Sequence, residues 1–181
     1  MLVEGPHANG EAVTMSLSMY QASIPVFRHQ LQALSKILAK GEEHANARKL
    51  DHSALIQCRL YPDMFPLARQ VQIASDAAKG AAARLAGLDA PSWEDTETTF
   101  AQLRERCDKT DTYLAGFKPD QIDGSEERQV VLKLRGSEVT FAGQQYLLGF
   151  AMPNFYFHIT TAYALLRQCG VEIGKRDFLG A

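Results

Sequence analysis

Asn154, His158 and Thr161 follow one another at spacings of four and three in the stretch LLGFAMPNFYFHITTAYALLRQCG, residues 147–170. On a helix that spacing puts an amide, an imidazole and a hydroxyl on one face. Leu147, Phe150 and Leu165 continue the same series, so the three polar groups point where a core should be. An imidazole there can ligate a metal, move a proton, or serve as a neutral donor and acceptor. A catalytic zinc usually takes three protein ligands, and an i,i+4 pair on one helix would supply two of them. Here the residue four before His158 is Asn154, and an amide is a poor zinc ligand. His29 lies roughly 200° around its helix from the apolar stripe, and His7, His44 and His52 fall in expected loops. Spacing therefore gives His158 no second histidine and argues against a resident metal. Three uses of the Asn154/His158 pair stay open: a polar pocket for a small molecule, a proton-transfer site, or a satisfied pair inside a core.

Pro153 sharpens the question, because it has no N–H for the carbonyl of Gly149 and its ring crowds that carbonyl. A bend is expected beside Asn154, with Gly149 giving the backbone slack. The candidate ligand-binding residues are Asn154, His158 and Thr161, joined from earlier in the chain by Gln70 and Asp63. Gln70 sits at the edge of an apolar stripe formed by Leu67, Val71 and Ala74, whereas Arg69 and Gln72 point toward solvent. If there is catalysis, His158 carries it as general acid or base, oriented by Asn154 or Gln70. Among the thiols only Cys58, beside Arg59, has an argument for activation; Cys107 reads as a small core residue.

These side chains need elements to hold them. Apolar residues 27, 31, 34 and 38 mark a first helix beginning after Ser18, with Pro25 kinking or delaying its first turns and a polar stretch from Gly41 to Lys49 following it. Asp51 can cap a short turn through Leu55, and Asp63 a second long helix carrying Leu67, Val71, Ala74, Ala78 and Leu85. Gly87 ends that helix. Ser92 or Asp95 can cap a third, marked by Phe100, Leu103, Cys107 and Leu114. In QVVLKLRGSEVTF the alternation of Val130, Leu132 and Leu134, then of Val139 and Phe141, predicts a short hairpin turning at residues 135–137. The last helix follows it. The expected fold is all-α: an antiparallel four-helix bundle with a β-hairpin before the final helix.

At 181 residues with 46% hydrophobic content the chain supports one core, which we place from Met15 to Ala181 behind a flexible leader of residues 1–14. A formal charge of −2 with mixed signs offers no field for a nucleic acid backbone. Three widely spaced cysteines make no disulfide framework and no paired C-x-x-C motif. No apolar run reaches the roughly 20 residues a bilayer span needs, so no membrane partner is expected and the setting is read as cytoplasmic. No glycine-rich phosphate loop or G-x-S-x-G elbow is present.

Four blocks carry a resemblance: MSLSMYQASIPVF, RLYPDMFPLARQVQIASDAAKGAAARLAG, PSWEDTETTFAQL and PNFYFHITTAYALLRQCGVEIGKRDFLG. They resemble a bacterial and fungal family catalogued as a domain of unknown function within the DinB/YfiT-like superfamily of four-helix bundles. The likeness runs from Met15 to Gly180. It implies a DinB-like bundle and a homodimer. Superfamily relatives include metal-dependent proteins with one histidine on the second helix and an H-x-x-x-H pair on the last, and some are thiol-dependent transferases or isomerases. In this chain NFYFH stands where that pair would be: His158 matches the second histidine, Asn154 replaces the first, and Gln70 or Gln72 replaces the remaining ligand. No cofactor is therefore expected, with a divalent metal as the alternative. The functional expectation is a metal-free bundle with a small-molecule pocket around Asn154 and His158. The alternatives are a metal- or thiol-dependent transferase using His158, and a non-catalytic structural or dimer-forming protein.

Overall fold

A computed structural model describes residues 17–134 and 136–181; the expected leader and the domain start at Met15 lie outside the described residues. Helix α1 runs from Met19 to Arg48. It begins this early because Ser18 and Gln21 form a reciprocal capping box, the Ser18 hydroxyl accepting from the Gln21 N–H at 3.2 Å. Pro25 sits inside the helix and does not delay its start. Nor does the helix stop at Gly41. A Cβ on Gly41 would lie 3.0 Å from the Phe100 ring and 3.1 Å from Leu166, so the glycine admits its neighbours and the helix continues. His44, expected in a loop, is therefore helical, and α1 ends only where Lys49 turns left-handed at φ 54°.

Asp51 caps α2 (His52–Ile56) as the sequence suggests, its carboxylate accepting from the Ser53 N–H at 2.9 Å. Asp63 does not cap the second long helix. Helix α3 (Leu67–Leu85) starts after Pro66, which has extended ψ of 167° and offers no side-chain cap, and Asp63 is left exposed in the preceding turn. A proline holds the residue before it away from helical geometry, which postpones the first turn past Phe65. Similarly Thr99, with Gln102 in a capping box, starts α4 (Phe100–Ala115) in place of Ser92 or Asp95. A short α5 (Pro119–Ile122) precedes strands β1 (Gln129–Leu134) and β2 (Ser137–Ala142). They pair antiparallel with Val130 opposite Phe141 and Leu132 opposite Val139, closed by Gly136 at φ +86°. Then come α6 (Gly143–Tyr146), a π-helical turn (Leu147–Ala151), α7 (Met152–Gln168) and α8 (Lys175–Phe178).

Side-chain pairs fix the directions of the four long helices. Arg28 meets Asp111 and Arg104 meets Glu42, so α1 and α4 are antiparallel. Phe27 stacks edge-on to Phe155 at 4.9 Å while Gly41 faces Leu166, so α1 and α7 run the same way. Gln70 meets His158 and Arg84 meets Tyr146, so α3 opposes α7. The result is a four-helix bundle in which α3 and α4 descend together, joined by the long crossover of residues 86–99. The core is built from fully buried Phe27, Leu31, Leu34, Leu38, Leu103, Leu114, Phe155, Ile159 and Leu165, each worth roughly 1.5–3 kcal/mol of burial. On α3 the buried run Ala74, Ala78 and Ala81–Ala83 lets neighbouring helices approach closely. Among the described residues no helix is long and apolar enough to cross a membrane.

Candidate functional site

The seam between α3 and α7 brings Gln70 and His158 together. His158 Nδ1 lies 2.7 Å from Gln70 Oε1, and both residues are buried. The other end of the Gln70 amide settles the protons, because its NH2 donates to the carbonyl of Phe65 at 3.0 Å and a carbonyl can only accept. Oε1 is thereby turned to the imidazole, and Nδ1 must carry the hydrogen. In the neutral ring Nε2 keeps its lone pair, and it has no hydrogen bond to any described residue. Burial, aided by the nearby Arg69 guanidinium, lowers the His158 pKa to about 4. The ring is neutral at pH 7. Beside it stands the exposed Phe157, whose ring is edge-on at 5.2 Å; Arg69 lies 5.9 Å from the ring of the exposed Phe65.

Asn154 lies one turn before His158, where α7 passes Ile73 and Ala77 of α3. It lines a cleft of about 400 Å³ whose other walls are Phe150, Tyr146 and the β1 residues 131–133. Where the sequence suggests a bend, the backbone ahead of Pro153 makes a π-helical turn: the Met152 N–H reaches back five residues to the Leu147 carbonyl. Pro153 then falls in the first turn of α7, where a missing N–H is tolerated. Thr161 is buried one turn beyond His158, but its hydroxyl donates to the Phe157 carbonyl at 2.7 Å. Asp63 makes no hydrogen bond to Gln70 or His158. Gln72 turns away, donating to Glu97 at 2.9 Å, so of the two glutamines Gln70 faces the histidine.

Two polar groupings were not anticipated from the sequence. Arg106 is buried in α4 and reaches Ser75, Asp76, Asp95 and Glu97, the carboxylates at 3.0 Å each. Burial opposes a charge on Glu97, yet hydrogen bonds from Arg106 and Gln72 hold its carboxyl below the usual range. Arg106 and Thr110 interrupt the stripe of Leu103, Cys107 and Leu114, a signal of the same kind as His158 in its own stripe. Trp93 is covered by Lys79 and Lys109, their ammonium groups 4.2 and 4.3 Å from the ring. The second grouping is Cys58 with Cys169: burial, then the neighbouring Cys58 thiol, pushes Cys169 up to about 11. Burial pushes Cys107 up as well. Neither is a thiolate at neutral pH.

Residues 19–179 match the family described as Domain of unknown function (DUF1993). The chain belongs to that family. A crystal structure of a DinB family member protein from Shewanella denitrificans is 42% identical to this DUF1993 protein, covers 90% of it and 92% of its own chain, and superposes with a TM-score of 0.84. A comparison with curated proteins finds no match. The DinB-like fold expected from the sequence is thus the fold present. The metal that the superfamily resemblance implies does not fit the residues at the matching positions: they are two amides and one imidazole, and the amide oxygen of Gln70 is already taken by His158. Among the described residues no group of three His, Cys, Asp or Glu side chains is arranged to hold an ion.

Proposed function

We propose that this DUF1993 protein binds a small molecule along the α3–α7 seam, with His158 Nε2 accepting a hydrogen bond from the ligand and Asn154 lining the adjoining cleft. The observation that carries this reading is the fixed Phe65–Gln70–His158 relay, which orders one tautomer and leaves the acceptor nitrogen without a protein partner. Nε2 is not one of the sealed, unpartnered atoms of the core, so a ligand can reach it. Asn154 and Gln70 replace metal ligands in this reading, and no divalent ion is resident. A homodimer belongs to the reading too, by analogy with the superfamily.

The magnitudes favour binding over proton transfer. A general acid or base works best with a pKa near the operating pH, and a histidine lowered to about 4 is a weak base at pH 7. A thiol mechanism finds no support in cysteines pushed upward by burial. The test is a thermal-shift screen of small hydrogen-bond donors, amides and alcohols included, on the parent and on His158→Gln. The reading expects at least one compound to raise the parent's melting temperature and to lose that effect in the variant. Equal stabilisation of both proteins by every hit would contradict it.

A further inference from the structure

Arg84 makes no ion pair with any described residue, yet its placement is set from two sides. Its Nη1 donates to the Tyr146 hydroxyl at 3.1 Å, and the guanidinium lies 6.0 Å from that ring's centroid. On its own helix it folds back over Gly80, where a methyl group would clash with Nη1 and push it aside. Gly80 is thus open for the guanidinium, a costly choice in the middle of a helix. Both Arg84 and Tyr146 line the cleft of about 400 Å³ that also contains Asn154. Because Tyr146 accepts from Arg84, its own O–H is free to donate, and burial keeps the phenol protonated. Lys133 on β1 adds an ammonium at the rim. The one carboxylate among the lining residues, Asp76, is already matched by Lys79 at 2.9 Å and Arg106 at 3.0 Å. Apolar surface completes the cleft: Phe150 stacks on Tyr146 at 6.1 Å with planes 21° apart, beside Ile73, Val131 and Leu132.

We infer that this cleft is an anion subsite, in which the Arg84 guanidinium and the Tyr146 hydroxyl receive the carboxylate of a small organic acid whose apolar body lies on Phe150 and the hairpin. An unpaired, part-buried guanidinium in a cleft of donors matches a planar carboxylate through two parallel hydrogen bonds. With Asp76 already matched, the single free guanidinium and its planar fork set the class as a monocarboxylate. The inference rests on the seam being a ligand site and names the chemistry of its ligand.

Phenylacetate is a suitable probe, with phenylacetamide and phenyl phosphate as comparisons, each titrated by amide NMR into the parent, Arg84→Met, Gly80→Ala and His158→Gln. Saturable shifts at Tyr146, Phe150 and residues 131–133 with phenylacetate are expected, at least tenfold tighter than with phenylacetamide. Arg84→Met weakens phenylacetate at least tenfold. Gly80→Ala keeps the charge and the fold but displaces the guanidinium, so it weakens binding several-fold with no loss of melting temperature, and it decides the matter should Arg84→Met fold poorly. Equal affinity for acid and amide, tighter phenyl phosphate, no shifts in the cleft, or parent-like binding by both variants each overturns the assignment. His158→Gln separates the two readings. Parent-like phenylacetate binding there with loss in Arg84→Met keeps the anion subsite and removes His158 from this ligand; the opposite pattern removes Arg84 and keeps His158.

Discussion

His158 is one of few buried ionisable side chains in the bundle, and its environment is legible in solution through pH. Its native pKa, lowered to about 4 by burial and by Arg69, lies below the ordinary histidine value of 6.5. Between those values the unfolded chain binds more protons than the native one, so stability rises with pH through this window. The contribution is fully present above about pH 6.5 and is lost as the pH falls to about 4, by up to roughly 3 kcal/mol. Urea denaturation at pH 7.5 and pH 4.5 reads it: His158→Gln flattens the difference between the two, while an unchanged slope would mean the ring is not neutral in the native state. Gln70→Ala removes the partner of a buried N–H and lowers stability by about 1–3 kcal/mol at pH 7. At this scale the sequence was informative about types and faces. Helical spacing pointed His158 and Gln70 inward, where they meet, but gave neither the relay to the Phe65 carbonyl nor Arg84, whose position depends on a tyrosine 62 residues away.

At the scale of elements, the crossover of residues 86–99 is held to α3 and α4 by Arg106, whose guanidinium meets the Glu94 carbonyl at 2.9 Å as well as its three carboxylates. Truncating one partner of a buried charge network strands the others. Arg106→Met is therefore expected to lower stability by about 3 kcal/mol in denaturant titration and to open residues 88–98 to limited proteolysis; parent-like resistance would show that the crossover is held otherwise. The apolar stripes, the α3 terminus at Gly87 and the presence of the hairpin were readable because they depend on neighbours close in sequence, although Ser137, expected in the turn, pairs with Leu134 in the ladder. Helix starts were less so. Asp63, Ser92 and Asp95 are good capping types, yet Pro66 and the Thr99–Gln102 box decided the matter locally. Gly41 reads as a breaker, and only its contact with Phe100 and Leu166, both distant in sequence, explains why α1 continues through it. The π-helical turn lets Pro153 fall in the first turn of α7, and nothing in the spacing announced it.

For the whole molecule, the up-down-down-up bundle carries two polar groupings on α3, one at the α3–α4 crossover and one on the α3–α7 seam. The first ties elements together; the second leaves His158 Nε2 without a partner among the described residues. Light scattering is expected to give twice the 20.0 kDa chain mass if the superfamily's dimer is kept here, and a mass of one chain would remove that part of the proposal. Elemental analysis of protein purified without affinity metal is expected to show far less than one divalent ion per chain. The account depends most on one imidazole, and nitrogen-detected NMR of His158 across pH 3.5–8 examines it directly. The predicted result is a hydrogen on Nδ1, a bare Nε2 at neutral pH and a titration near 4. A titration near 6.5, or a hydrogen found on Nε2 with Nδ1 bare, would contradict it.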